Sequence, residues 1–230
     1  MSQLVRNRGF SSAAVGKLRV SSDARTHLIF GANTDVGKTI VSAGLVRSSL
    51  GTSDVHYIKP LQCGGSDQAF VEQHVGASTS KFQADTLFRW ETPASPHVAS
   101  VREDHPRSDR EVLDSLQSAL TTISSQSDNT TTWIETAGGV LSPSSASPVN
   151  QSPNHATTGN SWGWKTQADL YQSLVGTAPV VLVGDGRLGG ISATLSSLES
   201  LIIRGYDVMG LVLLETGYDN VSAIREYASR

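Results

Sequence analysis

The 230-residue chain is poor in cysteine (one), methionine (two) and aromatics (6%). A lone thiol, Cys63, excludes an intrachain disulfide and fits a reducing compartment. No apolar run approaches the roughly 18 residues a membrane-spanning helix needs, so no membrane partner is expected. Positive charge is scarce as well. Lys and Arg number 18 against 21 Asp and Glu, a formal charge of -3 with no basic patch, which disfavours nucleic acid as a partner. The histidines at 27, 56, 74, 97, 105 and 155 show no metal-ligand spacing and read as structural or surface residues. One absence is local: residues 1–22 carry Arg6, Arg8, Lys17 and Arg19 among serines and alanines, with no acid before Asp23. That is the composition of a mitochondrial transit peptide, or of a disordered tail. The remainder, residues 23–230, reads as one domain, since 38% hydrophobic and 17% charged residues are ordinary for a soluble core of this length.

What the chain does have is a phosphate cradle. Gly31-Ala32-Asn33-Thr34-Asp35-Val36-Gly37-Lys38-Thr39 follows apolar Leu28-Ile29-Phe30 and precedes Ile40-Val41-Ser42-Ala43-Gly44-Leu45. A strand, a glycine-bearing loop and Lys-Thr opening a helix aim backbone N–H groups and a helix N-terminus at phosphate. Gly37 lets the backbone approach an anion, Lys38 spans terminal phosphates as a mobile point charge, and the Thr39 hydroxyl suits Mg²⁺. Asn33, Asp35 and Val36 complete the nucleotide-holding loop. The strict pattern has glycine at 32; here Ala32 stands there and the glycine is at 31, so the loop is stretched by one residue.

Hydrophobic periodicity places the rest. Residues 39–50 read as a helix with Ile40, Val41, Gly44, Leu45 and Leu50 inward and Gly51 as its stop. A short strand at 55–58 ends at Lys59-Pro60, where Lys59 is either a solvated lysine or a crevice cation beside the phosphate loop. In a helix from about Ser66 to His74, Asp67 either caps the helix or faces Mg²⁺. Residues 75–107, interrupted by Pro93, Pro96 and Pro106, read as irregular. A capping box at Ser108 and Glu111 opens a helix with Val112, Leu113, Leu116, Ala119, Leu120 and Ile123 on one face. A strand at 131–134 is closed by Glu135, and an acid at a strand end before small Thr136-Ala137 and paired Gly138-Gly139 is what a metal-side carboxylate beside a close ligand requires. Residues 141–163 read as a long polar loop with Trp162 and Trp164 at its exit. There follow a helix near 165–174, a buried strand at 180–183 and a glycine-rich turn where Arg187 reaches substrate or phosphate. A helix at 192–203 and a strand at 208–214 close the pattern. This alternation predicts an α/β, P-loop NTPase-like fold, a mostly parallel sheet with helices on both faces.

Taken together, these motifs resemble the dethiobiotin synthetase family of biotin biosynthesis. The carriers are the stretched Gly31 to Thr39 loop, Tyr57-Ile58-Lys59-Pro60 with Gln62-Cys63-Gly64, Ser95-Pro96-His97, Glu135 to Gly139, and Gly184 to Ser192. The wording of Thr166 to Tyr171, Gly184 to Ser192 and Ile203 to Asp207 resembles the eukaryotic form, in which this domain is fused ahead of a diaminopelargonate aminotransferase. The resemblance implies a ligase that uses ATP and Mg²⁺ to insert CO₂ between the two amines of 7,8-diaminopelargonic acid. It implies that Thr34, Lys38 and Lys59 face carbamate and phosphates, and that Thr39, Asp67 and Glu135 serve Mg²⁺. The loop of Cys63, with Thr136, Ala137, Gly138 and Gly139, would hold the diamine. A homodimer with a shared diamine site is implied as well.

Two departures set further expectations. Cys63 stands where the family usually has a hydroxyl residue, and a thiol is a weaker donor, so lower substrate affinity is expected. The family's base-reading Asn near the end of the last strand, and the strand and Pro-bearing loop beyond it, have no counterpart from Leu214 to Arg230. A truncated domain with an incomplete base pocket is therefore expected. The competing readings are an inactive fragment and a switch ATPase of the partitioning type. The latter is disfavoured because no lysine lies within residues 32–36, and a GTPase because Asn-Lys-x-Asp is absent.

Overall fold

The computed structural model describes residues 25–76, 80–127, 129–145, 164–214 and 216–228. The expected leader at 1–22, Trp162 and most of the 141–163 loop lie outside the described residues. Among the described residues six strands form one sheet: β1 (Arg25–Gly31), β2 (Asp54–Cys63), β3 (Phe82–Trp90), β4 (Thr130–Gly139), β5 (Val180–Gly184) and β6 (Val208–Leu213). Their order is β3-β2-β4-β1-β5-β6, and every pairing is parallel.

The central strands are apolar at consecutive positions because both faces of the sheet are covered. Leu28, Phe30, Val180 and Leu182 enter one core, while their neighbours Ile29, Val181 and Val183 enter the other. On the second face lie α1 (Lys38–Ser49) and α2 (Asp67–Val75), through Val41, Val46 and Val71. On the first lie α3 (Pro96–Arg102), α4 (Asp109–Gln126), the short α5 (Gln167–Leu170) with a 3₁₀ turn at Tyr171–Leu174, and α6 (Gly190–Ile203). A last helix, α7 (Asn220–Ala228), follows β6. The capping box forms at α4 as expected: Ser108 Oγ accepts from the Glu111 N–H at 3.2 Å, and Glu111 Oε2 accepts from the Ser108 N–H at 2.7 Å.

Several elements differ from the sequence reading. Proline does not stop β2. The Val55 N–H reaches β3 through the Lys81 carbonyl, so even-numbered residues of β2 face β4, and pairing with β4 ends at Ile58. Pro60 thus lacks its N–H where no partner strand remains. The stretch expected to be irregular contains β3, an edge strand whose exposed Gln83, Asp85 and Arg89 alternate with half-buried or, at Trp90, buried residues. Pro96 begins α3 rather than breaking an element, because a first-turn proline gives up an N–H that has no helical partner. Gly51 does not adopt the left-handed conformation of a helix stop, and Ile40, expected inward, is 54% exposed.

Candidate active site

The carboxyl ends of β1, β2 and β4 open on one cleft of about 720 Å³. Within it, the cradle turns at Gly37, the N-cap of α1, with φ of 90°. A Cβ there would be strained and would overlap the Leu214 side chain, so the position requires glycine. The displaced first glycine has a reason too. A Cβ at Gly31 would stand 2.9 Å from Lys38 Cδ and 2.8 Å from the Asn33 carbonyl oxygen, so glycine at 31 lets the Lys38 side chain fold back over the strand end.

Glu135 is the hub. Expected at a strand end, it lies inside β4 and is fully buried. Its Oε1 accepts from Thr39 Oγ1 at 3.1 Å and Lys59 Nζ at 2.8 Å, and its Oε2 from Ser42 Oγ at 2.6 Å and Tyr57 OH at 2.9 Å. Lys59 Nζ also meets Asp67 Oδ2 at 2.6 Å and the Thr136 carbonyl at 3.2 Å. Of the two readings of Lys59, the crevice cation is the one observed. Asp67 does not cap α2, because Ser66 Oγ accepts from the Ala69 N–H and leaves Asp67 at the first helical position, facing Lys59.

Electrostatics follow from this burial. Burial works against the Lys59 charge, but Glu135 and Asp67 outweigh it and hold the ammonium above the ordinary lysine value. Burial likewise opposes ionisation of Asp67, and Lys59 reverses it, holding that carboxyl below its usual range. Among the described residues Lys38 has no such ion-pair partner. Burial, then the neighbouring Lys59, lower it to about 8. Burial, with Glu135 beside it, raises the Tyr57 phenol well above 10, so Tyr57 is a constant donor to Glu135. The half-buried Cys63 thiol is pushed up to about 12 by burial, which leaves it neutral.

Thr34, Asp35, Ala137 and Gly138 also line the cleft. Asn33 and Gly139 line a neighbouring hollow beside α6 instead. Val36 is buried in the α1 face. Thr136, expected to meet substrate, is fully buried with its hydroxyl donated to the Ile29 carbonyl, so only its backbone serves the site. Between Glu135 and Gly139 the register against β1 shifts: Ile29 pairs with Glu135 and Gly31 with Gly139. That irregularity turns Gly138, with φ of 64°, toward the phosphate loop near Thr34. Arg187 is not in the cleft wall; its guanidinium bridges Asp185 (Nε to Oδ1 2.9 Å, Nη2 to Oδ2 2.9 Å) and the Thr34 carbonyl (3.1 Å). It braces the cradle from outside.

Ser42 and Tyr57 were missed, although simple spacing points to both. Ser42 is one helical turn beyond Thr39, and Tyr57 lies two residues before Lys59 on the same face of β2. Among the described residues no three His, Cys, Asp or Glu side chains gather into a metal cluster. Two carboxylates and one hydroxyl nevertheless converge where the Lys59 ammonium lies, a hard-oxygen set that fits a hydrated Mg²⁺ completed by phosphate oxygens. The cradle fits a phosphate chain on the same side.

A family profile described as "AAA domain" matches residues 25–152. The ATP-dependent dethiobiotin synthetase of Neorickettsia sennetsu is 30% identical, over 87% of this chain and 82% of its own length. The chain belongs to the dethiobiotin synthetase family. Two bifunctional members match as well. The mitochondrial dethiobiotin synthetase/7,8-diamino-pelargonic acid aminotransferase of Oryza sativa subsp. japonica is 34% identical over 86% of this chain. The dethiobiotin synthetase/adenosylmethionine-8-amino-7-oxononanoate aminotransferase of Emericella nidulans is 38% identical over 84%. The chain spans 29% and 22% of the lengths of those two relatives.

Proposed function

We propose that this chain closes a cyclic urea on 7,8-diaminopelargonate, using CO₂, ATP and Mg²⁺ and releasing ADP and phosphate. The observation that carries the reading is the pair of buried lysines, Lys38 and Lys59, on one cleft rim with Thr39, Asp67 and Glu135. One substrate amine attacks CO₂ and loses a proton, giving a carbamate. A carbamate oxygen then attacks the γ-phosphorus and ADP leaves. Finally the second amine attacks the carbamate carbon, phosphate departs with the C–O bond electrons, and a proton is lost as the ring closes. Each stage gathers negative charge, which Lys38 and Lys59 neutralise inside a cleft of low dielectric. No nucleophilic side chain is required.

Thr39, Asp67 and Glu135 would hold Mg²⁺, which supplies further neutralisation of phosphate oxygens when bound. Thr34 would serve the carbamate and phosphate end, and Cys63 with Ala137 and Gly138 the diamine end. Arg187 acts by bracing the loop. A homodimer belongs to the proposal, supported by Leu188, 82% exposed in the turn beside Arg187. So does a mitochondrial setting, supported by the basic, acid-free residues 1–22 and by the rice relative's name.

The test supplies ATP, Mg²⁺, labelled bicarbonate and diaminopelargonate to the full chain. Acid-stable label that depends on the diamine is expected, and Lys38→Ala is expected to abolish it. ATP hydrolysis indifferent to the diamine would instead mark a switch ATPase, and neither product an inactive fragment; either overturns the proposal.

A further inference from the structure

The Lys59 ammonium has three N–H donors, and each is committed: to Asp67 Oδ2 at 2.6 Å, to Glu135 Oε1 at 2.8 Å and to the Thr136 carbonyl at 3.2 Å. Its side chain is only 4% exposed. In this arrangement it has no proton left to donate to a substrate oxygen. Glu135 is saturated too, with two donors on each oxygen, and Lys59 shares Oε1 with Thr39, so the lysine occupies the point where the three metal-facing groups meet.

A divalent cation and an ammonium cannot share that point. Both need Glu135 Oε1 and Asp67, and like charges a few ångströms apart in a buried site repel strongly. We propose that Lys59 is a built-in competitor for the divalent cation: it closes the Asp67–Glu135 pair in the free protein, and the arriving metal takes those oxygens and turns the ammonium out into the cleft. This rests on the metal-holding role proposed above for Thr39, Asp67 and Glu135. The four-carbon stem permits the swing, since a flexible lysine carries its charge as a movable point rather than a fixed fork. Metal binding and the presentation of Lys59 to substrate thus become one event, and a site without metal keeps its lysine withdrawn.

The test uses Mn²⁺ as the probe and nucleotide-free full chain, so its outcome is separate from that of the urea-forming assay. Lys59→Met keeps the length of the side chain and removes the charge. Mn²⁺, followed by the loss of its free electron paramagnetic resonance signal, is expected to bind that variant at least about tenfold more tightly than wild type. Equal or weaker binding overturns the exchange. Should the variant fail to fold, wild type provides the second readout: amine-directed labelling mapped by mass spectrometry. Labelling at Lys59 is expected to rise severalfold on adding Mn²⁺, and unchanged or reduced labelling overturns the proposal.

Discussion

At the scale of single residues, Glu135 concentrates more interdependence than any other described side chain of the cleft. It is fully buried, and four hydrogen bonds from Thr39, Ser42, Tyr57 and Lys59 compensate its lost hydration. Glu135→Ala leaves the Lys59 ammonium with Asp67 and the Thr136 carbonyl, and strands the Ser42 and Tyr57 hydroxyls in a buried space. We expect a loss of about 3–5 kcal/mol, the range for breaking a buried ion pair from one side, measured by urea unfolding. Tyr57→Phe removes one donor and should cost about 1–3 kcal/mol on the same assay. A Glu135→Ala protein as stable as wild type would show that the hub carries no net stabilisation. The place of Glu135 at the cleft was legible because an acid before paired glycines follows an apolar strand. Its depth was not, since the strand continues through Thr136 and Ala137, whose small side chains give no apolar signal.

At the scale of elements, the turn from β5 to α6 shows how a loop outside the cleft supports the one within it. Asp185 accepts from the Arg187 N–H and guanidinium, Arg187 reaches the Thr34 carbonyl, and the buried Asn220 of α7 donates to the carbonyls of Asp185 (3.1 Å) and Arg187 (2.9 Å). The Arg187 guanidinium holds the Asp185 carboxyl below its ordinary value of 3.8. Because the unfolded chain then binds the proton more readily, this pair stabilises the fold above the unfolded value and loses its contribution as pH falls through the lower, folded value. Arg187→Ala should therefore lower the urea midpoint at about pH 5, with the gap to wild type narrowing toward about pH 3. A gap independent of pH would remove the pair from the account. Much of this was hidden from the sequence. Arg187 was expected to reach substrate or phosphate, but its partner two residues earlier commits it to bracing. Helix α7 was missed entirely, although Asn220 at its first position is what ties it to the turn. Strand β3 escaped for a different reason: as an edge strand it turns Gln83, Asp85 and Arg89 to solvent, which dilutes the apolar signal that exposed the central strands. By contrast β5, covered on both faces, was legible almost to the residue.

At the scale of the whole molecule, the strand order explains why scattered residues converge. From β1 the chain moves through α1 to β2, and from adjacent β4 it moves the other way to β5, so the segments leaving β1 and β4 diverge and open a crevice at their carboxyl ends. The phosphate loop leaves β1 into that crevice, and the Glu135 to Gly139 stretch borders it from β4. The far edge of the sheet takes part as well, because Leu214, just past β6, lies against Gly37. Nucleotide bound to the loop should therefore stabilise the sheet from β1 outward rather than a local flap. At about 100 times the dissociation constant, a ligand specific to the folded state adds about 2.7 kcal/mol. For a chain of this length each kcal/mol is worth about 2–4 °C, so a rise of roughly 5–10 °C in the midpoint is expected with a non-hydrolysable ATP analogue and Mg²⁺. Gly37→Ala, whose methyl group must displace Leu214 at a left-handed position, should lose most of that rise whatever its own baseline. If the variant gained as much as wild type, the triphosphate would have to bind elsewhere, and the convergence of β1, β4 and β6 on Gly37 would serve packing alone.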